Sequence, residues 1–189
     1  MIERMDDGIG QVLDELDALS IDSNTFVIYM YDHGGRHLAN SEPLFHGFAT
    51  LWEGGIRIPA IMRLPGVISA NDKSAMPGIS MDLTATILDV AGIKGVAASL
   101  DGISLISYLR KEQRPSTRQF FWRVDLSSFG KQRAVRDGKW KYIEDGHTQF
   151  LFDLNVDISE RHNLFYKEAD VVSRLRADLD IWLEGFPVD

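Results

Sequence analysis

The sequence predicts an α/β fold: a partial parallel or mixed sheet with flanking helices, followed by a small antiparallel sheet packed with a C-terminal helix. Three observations carry this. A helically spaced segment runs into a short block of β-prone apolar residues, which is half of an α/β repeat. Beyond Pro115 the texture changes to alternating aromatic segments, and the last segment returns to helical spacing.

Taken in order, apolar residues at 1, 2, 5, 9, 12, 13, 16 and 19 predict an amphipathic helix over 1–19, with Asp and Glu on its other face. Ser20 to Asn24 is a turn. Thr25 to Tyr31 has the composition and length of a strand buried on both faces. Residues 33–55 form a loop holding Gly34, Gly35, Gly47, Gly54 and Gly55, and Ile56 to Arg63 is a second strand, broken by Pro59 and closed by Pro65-Gly66. Ser80 reads as the N-cap of a helix over Met81 to Val90 that Ala91-Gly92 stops, and Ser104 to Arg110 as another short helix. Gln119–Arg123, Arg133–Ile143 and Gln149–Asp153 predict an antiparallel meander turning at Asp137-Gly138 and Asp145-Gly146. Glu168 to Leu183, apolar at 171, 172, 175, 179 and 182, would cover one of its faces. The expected division is an α/β part over 1–115 and a sheet-plus-helix part over 116–189.

Bulk composition excludes several functions. The 189 residues are 44% hydrophobic, enough for a sizeable core. A net charge of −8 argues against a nucleic-acid partner, whose face would show as clustered Lys and Arg. Neither a membrane-spanning apolar run nor a basic-then-apolar leader occurs, so no membrane partner is expected and the sequence assigns no compartment. The absence of cysteine rules out disulfides, thiolate metal sites and a Cys nucleophile.

The chemistry concentrates where the first strand ends. Asp32 and His33 follow it directly, at the carboxyl end, where open sheets hold their ligand sites. A carboxylate oxygen and an imidazole nitrogen on adjacent residues can both reach one cation, and Gly34-Gly35 lets the backbone turn away. The alternative for these residues is a turn-capping Asp beside a surface His.

The segment Pro43-Leu-Phe-His-Gly-Phe-Ala-Thr-Leu-Trp-Glu-Gly-Gly-Ile-Arg-Ile-Pro59, at this distance after Asp-His-Gly, resembles the sulfatase family of the alkaline-phosphatase-like superfamily. Met5-Asp-Asp-Gly-Ile-Gly10, Leu83-Thr-Ala-Thr-Ile-Leu-Asp-Val-Ala-Gly92, Asp101-Gly-Ile-Ser-Leu105, Arg133-Ala-Val-Arg-Asp-Gly-Lys-Trp-Lys-Tyr142, Leu151-Phe-Asp-Leu-Asn155 and Glu160-Arg-His-Asn-Leu164 extend the likeness along the chain. The resemblance implies sulfate-ester hydrolysis, of a small molecule or a sulfated glycan, by a formylglycine made from Cys or Ser in Cys/Ser-x-Pro-x-Arg. A divalent cation would assist, usually Ca2+, with Mn2+ or Zn2+ as alternatives. Asp32 and His33 match the family's late metal-binding pair. The family is often periplasmic or secreted.

The sequence departs from that pattern in three places. None of the six prolines lies in a formylglycine motif: only Ser41 stands two before a proline with a hydroxyl, and Phe45 follows where Arg is required. The early aspartate pair of the family has no counterpart either, so the resemblance implies the C-terminal portion of a sulfatase, inactive alone, with an N-terminal half as an expected partner. Phe48 occupies the position of the usual sulfate-binding Lys. Arg36, His37 and His46 are the candidate substitutes, His46 foremost. His33 replaces the commoner Asn, a softer donor that suits Mn2+ or Zn2+ better than an amide oxygen would.

Glu53, Gly54, Gly55 and Arg57 read as a structural turn, the meander aromatics as sheet core, and Asp82, Asp89 and the remaining Glu and Lys residues as solvated surface. Two other functions fit the same residues: a phosphonate or phosphodiester hydrolase of the same superfamily, and a non-catalytic module binding sulfated glycans.

Overall fold

In the computed structural model, which describes residues 2–36, 39–95, 99–112, 117–126 and 130–186, the chain divides into two units. One is formed by Met1–Tyr29 with Ala60–Pro115, the other by Met30–Pro59 with Ser116–Asp189. The segment 30–59 thus clusters with the C-terminal sheet and not with the strands it connects.

In the first unit the predicted N-terminal helix forms as α1 (Ile2–Ala18), and a 3-10 turn over Asp22–Asn24 leads to β1 (Val27–Met30). β1 pairs with β2 (Ala60–Arg63) in a two-stranded sheet. The second strand begins only after Pro59, because proline has no N–H to give a ladder, and Ile56 falls instead in a helical turn. β1 is half-buried along its length, not buried on both faces. No residue of α1 is buried, and Ile2, Met5 and Val12 are exposed.

α3 (Met81–Val90) and α4 (Ile106–Leu109) complete this unit, and Gly92 ends α3 in the left-handed conformation (φ 73°) that favours glycine. Ser80 makes no side-chain cap. The acceptor is Asp82, and the expectation of a solvated carboxylate is corrected: its side chain is fully buried, with Oδ2 accepting from Ile79 N (2.9 Å) and Oδ1 from Ile103 N (3.0 Å). One turn on, Thr86 Oγ1 donates to Asp82 O and accepts from Leu105 N. Asp82 and Thr86, four apart on one helix face, therefore hold the 103–105 segment against α3. Gly102 is required there, since a Cβ would lie 2.2 Å from Met81 O. Asp89 is exposed and accepts from Ser104 Oγ.

In the second unit the meander has four strands in sequential antiparallel order: β3 (Gln119–Leu126), β4 (Gly130–Asp137), β5 (Trp140–Asp145) and β6 (Thr148–Asp153). Gly138 and Gly146, both at φ 58°, make the turns that Asp-Gly predicts. Because side chains alternate, the sheet has two apolar faces. Val135, Tyr142 and Leu151 pack against Val172, Leu175 and Leu179 of α5 (Ala169–Leu183), as the spacing predicts. Ala134, Ile143 and Phe152 pack instead against Leu51 and Trp52 from the 30–59 segment. The gripping role of Asp82 sets an expected outcome: Asp82→Ala strands two half-buried N–H groups and lowers the stability of the first unit by about 1–3 kcal/mol, read as a drop in the denaturant midpoint.

Candidate functional site

A buried lysine organises the second unit. Lys141 shares β5 parity with Ile143 and so points from the sheet toward the 51–56 turn, where its side chain is fully buried. A desolvated ammonium must find anionic partners. Its Nζ donates to Glu53 Oε1 (2.9 Å) and stands 2.7 Å from Glu160 Oε1 as an ion pair without hydrogen-bond alignment. Glu53 Oε2 accepts from Arg57 Nε (2.6 Å), and Glu160 Oε2 accepts from the Glu53 N–H (2.6 Å). Burial alone would raise the Glu53 carboxyl, but Lys141 and Arg57 together outweigh it and hold it below its ordinary value. Glu160 is different: burial, only partly offset by Lys141, holds it above. These contacts fix α2 (Glu53–Ile56), the single helical turn in the middle of the sulfatase-like segment. Glu53 and Arg57 are thus the structural anchors that the sequence suggested, whereas Glu160 and Lys141 are not the surface charges expected of them. The detectable signal was parity, since a Lys at an inward strand position demands a carboxylate.

The Asp-His-Gly-Gly loop rests on this turn, backbone against backbone. Gly34 N donates to Gly55 O (2.8 Å), Phe48 N to Gly35 O (2.9 Å) and Gly54 N to Phe45 O (2.9 Å). A Cβ on Gly34 would fall 1.7 Å from Gly54 O, and one on Gly54 2.3 Å from the carbonyls of Phe45 and His46. The glycines are there so that two loops can touch through their main chains.

Held this way, Asp32 and His33 come together. His33 N donates to Asp32 Oδ1 (2.9 Å), and His33 Nε2 lies 3.3 Å from Asp32 Oδ2, with side chains 41% and 83% exposed respectively. His33 Nδ1 is 2.9 Å from Gly34 O. A carbonyl only accepts, so Nδ1 carries the hydrogen, and in the neutral imidazole Nε2 then carries the lone pair. That lone pair faces a carboxylate oxygen, and two acceptors this close repel unless a proton or a metal cation lies between them. Two donors about 2.2 Å from one cation and at right angles to it would be about 3.1 Å apart, so the pair fits two ligands of a metal. Among the described residues no group of three or more His, Asp or Glu side chains could hold one.

Phe48 packs its ring on His33 (4.4 Å between centroids), and the Arg36 guanidinium lies over the Phe48 ring (4.8 Å). Arg36 and the imidazole of His33 thus share the Phe48 ring as a neighbour, although position 48 itself carries no cation. His46 is placed elsewhere: its ring contacts Phe45 and Trp52 and lines a cleft of about 430 Å³. His37 lies outside the described residues.

Comparison with known proteins follows the same line. The sulfatase family model matches residues 1–93. The chain is similar to the N-acetylgalactosamine-6-sulfatase of Mus musculus, 34% identical over 82% of this chain and 32% of the relative. It is also similar to a sulfatase of Formosa agariphila, 33% identical over 96% of this chain and 38% of the relative. Among solved structures it superposes on Ps i-CgsB in complex with k-i-k-neocarrahexaose with a TM-score of 0.88 and 25% identity, covering 96% of this chain and 41% of that one. The chain spans between about a third and two fifths of the length of these relatives.

The buried cluster fixes a pH dependence. A depressed Glu53 contributes stability that is present above its unfolded value near 4.5 and lost as pH falls through the folded one; a raised Glu160 contributes the opposite, lost as pH rises. In Lys141→Met only Arg57 remains to offset burial of Glu53, and Glu160 keeps no cation. The variant is expected to lose about 3–5 kcal/mol at pH 7 and to recover part of it at pH 5, measured by urea unfolding at both values; an equal loss at the two would contradict the assignment.

Proposed function

The chain belongs to the sulfatase family, and from that premise we propose that it carries part of the catalytic site of a sulfuric ester hydrolase, with Asp32 and His33 as two ligands of a divalent cation. The observation that carries this reading is the convergence of His33 Nε2 and Asp32 Oδ2 at 3.3 Å, with Nδ1 fixed by Gly34 O so that the lone pair points at the shared spot. A cation bound there would polarise a sulfate oxygen and stabilise the charge that develops as the ester bond breaks. The nitrogen–oxygen donor pair suits Mn2+ or Zn2+ at least as well as the Ca2+ that the family implies.

The chain's own residues do the rest of what it contributes. Gly34 N–H to Gly55 O and the Lys141-anchored turn beneath hold the pair in place, and Phe48 walls the imidazole on one side. Arg36, stacked on Phe48, supplies the positive charge toward a bound sulfate that a lysine at position 48 would otherwise supply. A carbohydrate sulfate is the substrate class supported by the relatives, one an N-acetylgalactosamine-6-sulfatase and another a protein in complex with k-i-k-neocarrahexaose. Two ligands are too few for a closed site, and the sequence holds neither a cysteine nor a Ser-x-Pro-x-Arg. Activity on this reading needs a polypeptide that brings the formylglycine and the other ligands.

The test is reconstitution. Mixed with a sulfatase N-terminal half bearing Cys-x-Pro-x-Arg converted to formylglycine, the chain should release sulfate from an aryl sulfate in preference to cleaving an aryl phosphodiester. Asp32→Asn should lower kcat about 100-fold or more, and Arg36→Ala should raise KM about tenfold with a smaller effect on kcat. Alone, the chain should bind Mn2+ weakly, detected as paramagnetic broadening at His33 that Asp32→Asn abolishes. Preferential phosphodiester cleavage, or sulfate release unaffected by Asp32→Asn, would overturn the proposal.

A further inference from the structure

The cleft beside His46 is used by nothing described so far. Its volume of about 430 Å³ lies within the ~300–1,000 Å³ range of small-ligand sites, and its walls are largely phenyl and indole: Phe45, Trp52, Phe150 and Phe152. Phe150 and Phe152 stack on each other (6.0 Å), and both contact Trp52. Three polar groups at its edge already have partners in the fold. Asp145 Oδ2 accepts from Trp52 Nε1 (3.0 Å), Glu160 is taken by Lys141 and the Glu53 N–H, and the Asn163 amide bonds Leu151 N, Phe165 N and Gln149 O.

Two polar side chains remain. Arg161 lays its guanidinium over the Phe45 ring at 4.4 Å, and His46 meets the same ring at 4.2 Å. Neither contact uses a guanidinium or imidazole N–H as a hydrogen-bond donor toward an anion. Phe45 thus carries a cation and an imidazole at the rim of an aromatic pocket, in a chain whose overall charge is −8. Aromatic walls suit the C–H faces of a sugar ring, a free guanidinium fork suits a sulfate or carboxylate bidentately, and Asp145 can accept from a hydroxyl. The same short loop joins this cleft to the pair at Asp32 and His33, since Phe45 and His46 line the one and Phe48 packs on the other.

We propose that this cleft is a binding site for a second sugar of an anionic oligosaccharide, with Arg161 holding its sulfate or carboxylate and Phe150 under its ring. The inference rests on the sulfatase reading for its ligand class, and it adds an extended saccharide to that reading in place of an isolated sulfate ester. The cleft then selects chains over monosaccharides, and the selectivity resides in residues far along the sequence from the metal pair.

The experiment uses the full chain, titrated with a sulfated hexasaccharide, its chemically desulfated counterpart and sodium sulfate, followed by calorimetry and by the Trp52 indole N–H resonance. The sulfated hexasaccharide should bind and shift Trp52; Arg161→Ala should weaken it at least tenfold, and Arg161→Lys by less, because a point charge replaces the fork. The desulfated sugar should bind more weakly and be insensitive to Arg161→Ala. Sodium sulfate at the same concentration should leave Trp52 unshifted. Because Arg161 is exposed and lies over the Phe45 ring at the rim of the cleft, the variants are expected to keep the parent melting temperature. Unchanged affinity in Arg161→Ala, a shift produced equally by sodium sulfate, or perturbations that spare Phe45, Trp52 and Phe150 would overturn the proposal. The titrations are made without added divalent cation, so the affinity they read is that of the cleft and not of the Asp32 and His33 pair. Cleft binding without sulfate release in the reconstituted enzyme would therefore remove the catalytic reading and leave the cleft, and the reverse result would do the opposite.

Discussion

The ammonium group of Lys141 is buried in the interior of the sheet-bearing unit, and its need for counter-ions shapes much of what surrounds it. Glu53 and Glu160 come to it from positions 88 residues before and 19 after in the sequence. Once Glu53 is placed, its own N–H donates to Glu160 and its second oxygen accepts from Arg57, so the turn at 53–56 is held from both sides. Breaking such a buried arrangement is costly because it leaves charge without solvent or partner. Glu160 accepts the left-handed φ of 53° that the geometry demands. From this anchor the order runs outward through main-chain contacts: Gly55 O to Gly34 N, and from Gly34 to the imidazole of His33. The exposed Asp32 and His33 pair is thereby positioned by a buried ion pair.

The local chemistry of the chain was legible where it depended on neighbours in sequence. Helical spacing located α1, α3 and α5, Asp-Gly located both tight turns of the meander, and the adjacency of Asp32 and His33 made their convergence expected. What was not legible depended on partners distant in the chain. Nothing near Asp82 announces that the amides of Ile79 and Ile103 will need its carboxylate, and nothing near position 30 announces that the loop to Pro59 will cover one face of a sheet that begins at Gln119. Proline 59 was read as a break within a strand, whereas it is the boundary before one.

The glycines divide in the same manner. Gly138 and Gly146 follow from turn chemistry and a sequence shows them. Gly34 and Gly54 are required because two loops meet through bare backbone, a constraint that appears only when both loops are seen together. The run Trp-Glu-Gly-Gly-Ile-Arg therefore reads as structural physics throughout: Trp52 fills the sheet face, Glu53 pairs with both Lys141 and Arg57, and the two glycines admit the neighbouring loop. Its structural role is to support the loop that carries Asp32 and His33.

The account is tested most directly by diffraction from crystals of this chain soaked in Mn2+, with data collected at the manganese edge. It predicts an anomalous peak within bonding distance of both His33 Nε2 and Asp32 Oδ2, with His33 Nδ1 still donating to Gly34 O. A peak on one of the two side chains alone, or an imidazole turned so that Nε2 faces away from Asp32, would contradict it.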